Sequence, residues 1–409
     1  MSPPSAPLTV LKAEAGTRAL EKALGRLARQ GGVLGLAPER ESSALEQALG
    51  EGRGDWLEHG PAVVVGSGGS QGGRRWCLQP LAQLEASAAA TGAWLRELGI
   101  EAGGSVVVNP LPWHHVSGLM PWLRARRWGA EHHWLPAARL RDPEALPPLP
   151  PGRGEEGALL SLVPTQLHRL LAHPAGVRWL RAFQVIWIGG APLAPGDRDR
   201  SREAGLRLAP CYGSTETGSM VAALSPEAFL AGKGGCGPPL PHAQLRIGAN
   251  GAVEIRASSL CPGHLEWGRL QPLELAQGWW SSGDRGHLDR HGLTLVGRLD
   301  GAVHSGGETV FPEQVELQLR ALADQRALPL VALVLVAQPD PEWGERLVAL
   351  VRGEGEGAEE GLIRDLKDLA RTLPPAQRPR EWRPCAALEA NAMGKWERGR
   401  WRDWLLRQP

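Results

Sequence analysis

The sequence has little charge imbalance, few lysines and a single tyrosine. Among its 409 residues, Lys and Arg total 45 and Asp and Glu total 44, a formal net charge of +1. That balance excludes the broad basic face of a dedicated nucleic-acid binder. A small phosphate-bearing ligand stays open, because it needs only a local nest of amides. The five cysteines are odd in number and form no CxxC pair. A disulfide scaffold and a structural zinc site are therefore not expected, and a reducing, cytoplasmic location is. The N-terminus shows no basic stretch followed by an apolar run, so no signal peptide is expected. The longest apolar stretch, Ala327–Ala337, is too short for a membrane span and reads as a buried strand with its approach. Only five lysines occur among the 45 basic residues, and the single Tyr is Tyr212. A Lys or Tyr retained against such a bias draws attention to its position.

Hydrophobic residues make up 42% of the chain, enough for a large core. Helical spacing is expected over Leu11–Gln30, Ser42–Leu49, Pro80–Leu98, Thr165–Leu171, Pro312–Ala323 and Ala358–Arg371. Short apolar runs at 61–66, 105–109, 158–163, 185–188, 330–336 and 347–351 read as buried strands. Alternating runs at Gln244–Ile247, Ala252–Arg256 and Gly292–Val296 read as half-buried ones. The alternation of strands and helices predicts an α/β fold of mixed sheets. Gly297–Gly301 suits a turn or linker, placing a boundary between a large N-terminal domain (1–298) and a smaller α+β C-terminal domain (299–409).

Five segments offer chemistry. Gly66–Arg74 (GSGGSQGGR) lets consecutive amides converge on an anion, with Ser67 and Ser70 adding hydroxyls and Arg74 a charge. It is not a GxxxxGK[ST] loop, and a plain surface loop fits its composition equally well. Cys211–Gly218 (CYGSTETG) carries Thr215 as a phosphate donor, Glu216 as a Mg²⁺ ligand and Tyr212 to pack over a base; a polar turn around a buried aromatic is the competing reading. Asp284 can accept from two ribose hydroxyls and Arg298 can reach a hydroxyl or phosphate through its fork of donors, although a structural Asp–Arg set is the competing reading. His304–Glu313 holds a glycine turn before a helix. Lys395, in NAMGK, has the compact charge and long stem that could follow a reacting carboxylate and an α-phosphate, though most lysines are solvated surface groups. His114 and His115 lack further spaced ligands for a metal; they suit packing beside a substrate acid better, with an ordinary loop as the competing reading. His132 and His133 suggest nothing stronger.

Taken in order, these segments resemble the adenylate-forming acyl-CoA synthetase superfamily, over about Pro61 to Arg398. Gly66–Arg74 is similar to its phosphate loop, usually TSGTTGxPK, but Gly66 and Gly69 stand for threonines, Gln71 and Gly73 for Gly and Pro, and Arg74 for Lys. Ile188-Gly-Gly-Ala-Pro-Leu193 resembles the GGAPL segment beside adenine, and Tyr212–Glu216 the YGxTE segment. Ser282–Asp284 stands at TGD, Gly297–Asp300 at GRxD, Ser305–Glu308 at the turn used in thioester formation, and Gly394-Lys395 with Arg398 at GKxxR.

The resemblance implies that Ser67, Gly68, Gly69, Ser70, Gly189, Gly190, Ala191, Tyr212, Gly213, Ser214, Thr215, Asp284 and Arg298 bind nucleotide, with Mg²⁺ on Glu216. Lys395, Arg74 and Thr215 would serve adenylation, Asp300 the hinge, and Ser305, Gly306 and Gly307 the thioester step. ATP and coenzyme A would be co-substrates.

Within the superfamily, Leu111–Leu119 (LPWHHVSGL) and Ser161–Gln166 (SLVPTQ) are most similar to the branch that activates 2-succinylbenzoate for menaquinone or phylloquinone synthesis. This implies an aromatic dicarboxylate substrate touching His115 and Ser117. No Arg stands out for the second carboxylate. Other acyl- or aryl-CoA synthetases, a carrier-protein-loading adenylation enzyme and a non-catalytic nucleotide-binding module remain alternatives. The sequence does not set the oligomeric state, and a homodimer is compatible with it.

Overall fold

The computed structural model describes residues 7–50, 55–68, 74–149, 157–305, 307–355, 359–391 and 396–408. The expected α/β character is present. A first six-stranded sheet orders Leu8–Lys12, Val33–Ala37, Ala62–Gly68, Arg74–Pro80, Gly263–Glu266 and Arg269–Pro272. A second orders Ser219–Ala223, Leu208–Ser214, Phe183–Ile188, Ala158–Leu162, Val106–Asn109 and Glu131–Trp134. Its last five strands are parallel, which explains runs such as VVVN and ALLSL. Both faces are covered, so nearly every position must be apolar.

Two helices, Leu81–Glu97 and Val116–Trp128, fill the space between these sheets. Leu84, Ala88, Leu119 and Met120 pack on Val63 and Val65 of the first sheet. Trp94, Leu95 and Ala125 pack on Val107, Val185 and Trp187 of the second. The first helix is apolar over most of its surface, with only Ala82, Glu85, Arg96 and Glu97 exposed.

An antiparallel sheet follows, with Ala243–Ile247, Ala252–Ala257, Trp279–Asp289 and Gly292–Arg298 as its principal strands. Beyond residue 300, the strands Val303–Ser305, Glu308–Val310, Leu330–Asp340, Gly344–Gly353 and Glu381–Pro384 form a separate sheet. The helices Pro312–Gln325 and Glu359–Ala370 share a core with one of its faces, and Arg398–Leu406 covers the other. The helix Pro312–Gln325 also touches Pro195–Glu203 and the strand Gly292–Arg298.

Three expectations need correction. The helix expected from Leu11 starts only at Thr17, because Leu8–Lys12 pairs in parallel with Val33–Ala37 and Gly16, at φ 81°, turns the chain between them. The glycine-rich loop is shorter than its composition implied: Gly66, Ser67 and Gly68 pair with Trp76, Arg75 and Arg74 across a β-ladder. Gly297 and Arg298 belong to a strand rather than to a linker.

Candidate functional site

The ends of three strands meet around Leu208–Ser214. At Gly213 an added Cβ would lie 2.0 Å from the Ser219 carbonyl oxygen, so only glycine lets the two strands close. Thr217, fully buried, fastens the turn: its Oγ1 accepts from the Ser214 N–H at 2.8 Å and donates to the Ser219 carbonyl at 2.6 Å. Ser219 sits at φ 109°, a strained conformation for a residue with a Cβ, of the kind that marks functional turns. The Thr215 carbonyl accepts from the Gln79 side-chain amide, tying this turn to the first sheet. Gly189, just after Phe183–Ile188, runs beside the same strand, and a Cβ there would meet the Cys211 sulfur at 3.0 Å. Gly190 follows at φ 89° and Ala191 continues the turn.

Glu216 is buried, with His264 Nε2 at 3.2 Å and the Arg75 guanidinium at 3.9 Å from its Oε1. Burial alone would raise its pKa, but bonds from His264, the backbone and Ser214 pull it down to about 2. Burial likewise opposes a charged His264, yet Cys77 and Glu216 outweigh it and push the imidazole up to about 9. An ionised carboxylate is a suitable oxygen donor for Mg²⁺. Ser67 Oγ is buried with no hydrogen-bond partner among the described residues. Gly69 and Ser70 lie outside the described residues. Arg74 is not a free cation: its Nε and Nη2 contact Glu41 at 2.6 and 3.0 Å.

Opposite this turn, Asp284 and Arg298 are direct cross-strand partners. The Tyr212 hydroxyl donates to Asp284 Oδ2 at 2.6 Å, and Arg298 Nη1 reaches Asp284 Oδ1 at 3.3 Å. Arg298 also grips Asp300 through Nε and Nη2, at 2.9 and 2.8 Å. Burial beside Asp284 holds the Tyr212 phenol well above its usual range, so it stays a donor. Ser305 pairs with Glu308 in a tight hairpin and with Gly344 on the other side, and Gly307 turns at φ 81°. Gly306 and Lys395 lie outside the described residues. Arg398, three positions past Lys395, is anchored on Glu316 at 2.7 Å and Glu313 at 3.5 Å.

The helix Val116–Trp128 brings a further group. His115 is its N-cap residue, its ring 4.4 Å from that of His114. Ser117 Oγ is buried without a partner among the described residues. Two turns on, Arg124 is only 3% exposed. It donates from Nη2 to Ser219 Oγ at 2.9 Å and lies 5.7 Å from the Trp187 ring centre. Its Nε has no partner among the described residues, nor has either ring nitrogen of His242. Burial lowers Arg124 to about 10; burial, then the charge of Arg124, lowers His242 to about 4. The sequence reading missed Arg124, His242, His264, Gln79 and Thr217. For Arg124 a signal existed: it falls four residues after Met120 on the buried face of its helix.

The AMP-binding enzyme family matches residues 61–254, the stretch that carries most of these groups. The chain is 35% identical to the 2-succinylbenzoate–CoA ligase of Escherichia coli K12 over 302 residues, 73% of this chain and 60% of that protein. The chain thus spans about three fifths of the length of that curated relative. Among solved structures it is similar to a single-residue variant of E. coli MenE with bound OSB-AMS. That match has TM-score 0.66 and 27% identity, covering 84% of this chain and 69% of that one. The o-succinylbenzoate CoA synthetase of Bacillus subtilis, in complex with the acyl-adenylate intermediate OSB-AMP, shares the fold: TM-score 0.70, 20% identity, 97% and 83% covered. No helix among the described residues is long and apolar enough to cross a membrane.

Proposed function

We propose that this chain is an AMP-forming acid–thiol ligase that converts 2-succinylbenzoate, ATP and coenzyme A to 2-succinylbenzoyl-CoA, AMP and pyrophosphate, as part of menaquinone or phylloquinone synthesis. The observation that carries the reading is Arg124, a buried cation with an unpartnered Nε among the described residues. An uncompensated buried charge is costly. An aromatic acid with a second, non-reacting carboxylate would supply the missing acceptor, with Ser219 and His242 as neighbouring polar groups.

The reacting carboxylate is a poor electrophile, and attack by its oxygen on the ATP α-phosphate makes an adenylate with a good leaving group. In this reading Lys395 offsets the charge shared by acid and phosphate, with Thr215 beside it. The 66–74 segment, including Ser67, Gly68, Gly69, Ser70 and Arg74, would hold the outer phosphates. Gly189, Gly190, Ala191, Gly213 and Ser214 would flank the base and sugar. Asp284 already accepts from Tyr212 and Arg298, and a carboxylate has capacity for about two more bonds, matching the ribose hydroxyls. Glu216 would hold Mg²⁺, which when bound offsets phosphate charge. His115 would border the acid.

The chain would comprise domains 1–298 and 299–409, turning about Asp300 so that Ser305, Gly306 and Gly307 replace Lys395 at the site for thiol attack. The five free cysteines support a cytoplasmic setting.

The test is a panel of acids with ATP and CoA, read by product mass. Succinylbenzoyl-CoA is the expected product; efficient turnover of benzoate or fatty acids with none of succinylbenzoate refutes the assignment. Lys395→Ala separates the half-reactions: adenylate formation should fall sharply while thioester formation from supplied adenylate persists. Equal loss in both would refute the proposed division of roles.

A further inference from the structure

Glu216 belongs to a second constellation. Cys77 and His264 are opposite partners in the antiparallel ladder between Arg74–Pro80 and Gly263–Glu266. Glu216 reaches them from the turn after Leu208–Ser214. The Cys77 sulfur, a His264 nitrogen and a Glu216 oxygen all lie within 4.8 Å of one another. Cys77 is fully buried and Glu216 nearly so, whereas the His264 side chain keeps 16% exposure, giving an ion a way in. The turn is pinned against this ladder by the Cys261 N–H, which donates to the Glu216 carbonyl at 2.7 Å.

Zinc–ligand bonds of about 2.0–2.3 Å hold ligand atoms roughly 3.3–3.8 Å apart in a tetrahedron, so only a modest contraction is required. The donor set of one thiolate, one imidazole and one carboxylate selects soft or borderline ions over magnesium. Arg75, which now faces Glu216, has a side chain 55% exposed and can turn outward.

We propose that Cys77, Glu216 and His264 bind a thiophilic divalent cation of the zinc class, with an open fourth position. The thiol proton leaves to the buffer, and the thiolate and carboxylate offset the two charges of the ion. Binding does not depend on the ligase reading. Its consequence does: an ion held here withdraws Glu216 from the magnesium–nucleotide complex and inhibits adenylation.

The experiment titrates Co²⁺, a spectroscopic stand-in, into the purified full chain. A sulfur-to-cobalt charge-transfer band that saturates at one ion per chain and is chased by Zn²⁺ is expected. Cys77→Ser should abolish the band, Cys385→Ser should retain it, and His264→Gln should weaken binding at least about tenfold. Absence of the band from folded wild type overturns the proposal, as does unchanged binding in His264→Gln. Because Cys77 is a core residue, the partly exposed His264 decides the matter if Cys77→Ser does not fold. Micromolar Zn²⁺ should then inhibit acid-dependent pyrophosphate exchange in the wild type. A chain without exchange activity would refute the ligase reading but leave the cobalt spectrum to judge the site.

Discussion

The two sides of the Tyr212 strand are finished to different degrees. On one side, Tyr212, Asp284, Arg298 and Asp300 satisfy one another through four hydrogen bonds of 2.6–3.3 Å. On the other, Arg124 Nε, both nitrogens of His242 and Ser117 Oγ are buried with no partner among the described residues. A closed network stabilises the fold whether or not a ligand is present, and a ligand adds to it. An open one destabilises the empty protein and recovers that energy only on binding. Substitutions on the two sides should therefore separate stability from function.

Arg124→Met tests the open side and carries the largest expected effect. Removing a buried, half-paired charge proposed to meet the second carboxylate should reduce kcat/KM for succinylbenzoate by roughly two to three orders of magnitude. Thermal stability should stay level or rise, because an apolar side chain replaces an uncompensated cation. Steady-state kinetics beside a melting curve decides it. A large fall in melting temperature with unchanged kcat/KM would mean that Arg124 is a structural residue and that the two sides do not differ as described.

Asp284→Asn tests the closed side and should behave oppositely. The amide cannot accept from both Tyr212 and Arg298 as a carboxylate does, and Arg298 is left with Asp300 and the Ser282 carbonyl. A loss of about 1–3 kcal/mol of folding stability is expected, with a weaker apparent affinity for ATP. Denaturant unfolding provides the first number and an ATP titration the second. Stability equal to wild type would break the comparison from this side.

The acid-side loop has its own support, and that support responds to pH. Asn109 Nδ2 donates to the Gly118 carbonyl at 2.8 Å and to His132 Nε2 at 3.3 Å, while Asn109 Oδ1 accepts from the Leu111 N–H at 3.1 Å. His132 must be neutral to accept. Burial, then the neighbouring His133, lowers it to about 4 against an ordinary value of 6.5. A base whose folded pKa is depressed contributes stability that is fully present above 6.5 and is lost as pH falls towards 4. The loss should approach roughly 2–3 kcal/mol. Unfolding measured from pH 7 to pH 4 should show this slope in the wild type and a flatter one in His132→Gln. Parallel curves would remove His132 from the support of the loop.

Much of the closed side was legible in the sequence, and little of the open side was. Tyr212, Asp284 and Arg298 sit in short motifs beside glycines, where backbone demands restrict the residue choice and leave a readable pattern. Buried parallel strands were equally visible as short apolar runs such as Val106–Asn109 and Ala158–Leu162. Arg124 and His242 lie 118 positions apart and meet only because one helix is held between two sheets. The strand Leu8–Lys12 was hidden for a related reason: its partner Val33–Ala37 lies beyond an intervening helix. Local pattern reports local constraint; pairing across the fold leaves no mark on either segment alone.

The smallest expected effect concerns Arg74, the cation at the end of the segment proposed to hold phosphate, which belongs to neither side. Arg74 closes the ladder opposite Gly68, and its guanidinium is held by Glu41 from the helix Glu39–Leu49. Both side chains are mostly shielded, at 28% and 19% exposure, so the pair is worth on the order of 1 kcal/mol. A nucleotide phosphate that recruits Arg74 must displace this contact. Glu41→Gln keeps the shape and a hydrogen-bond acceptor but removes the charge, and it should lower KM for ATP by about twofold to fivefold with kcat little changed. If Glu41 instead aims Arg74 at the phosphates, the same substitution raises KM. The direction of the shift therefore tells whether the atypical arginine is restrained by its carboxylate or positioned by it.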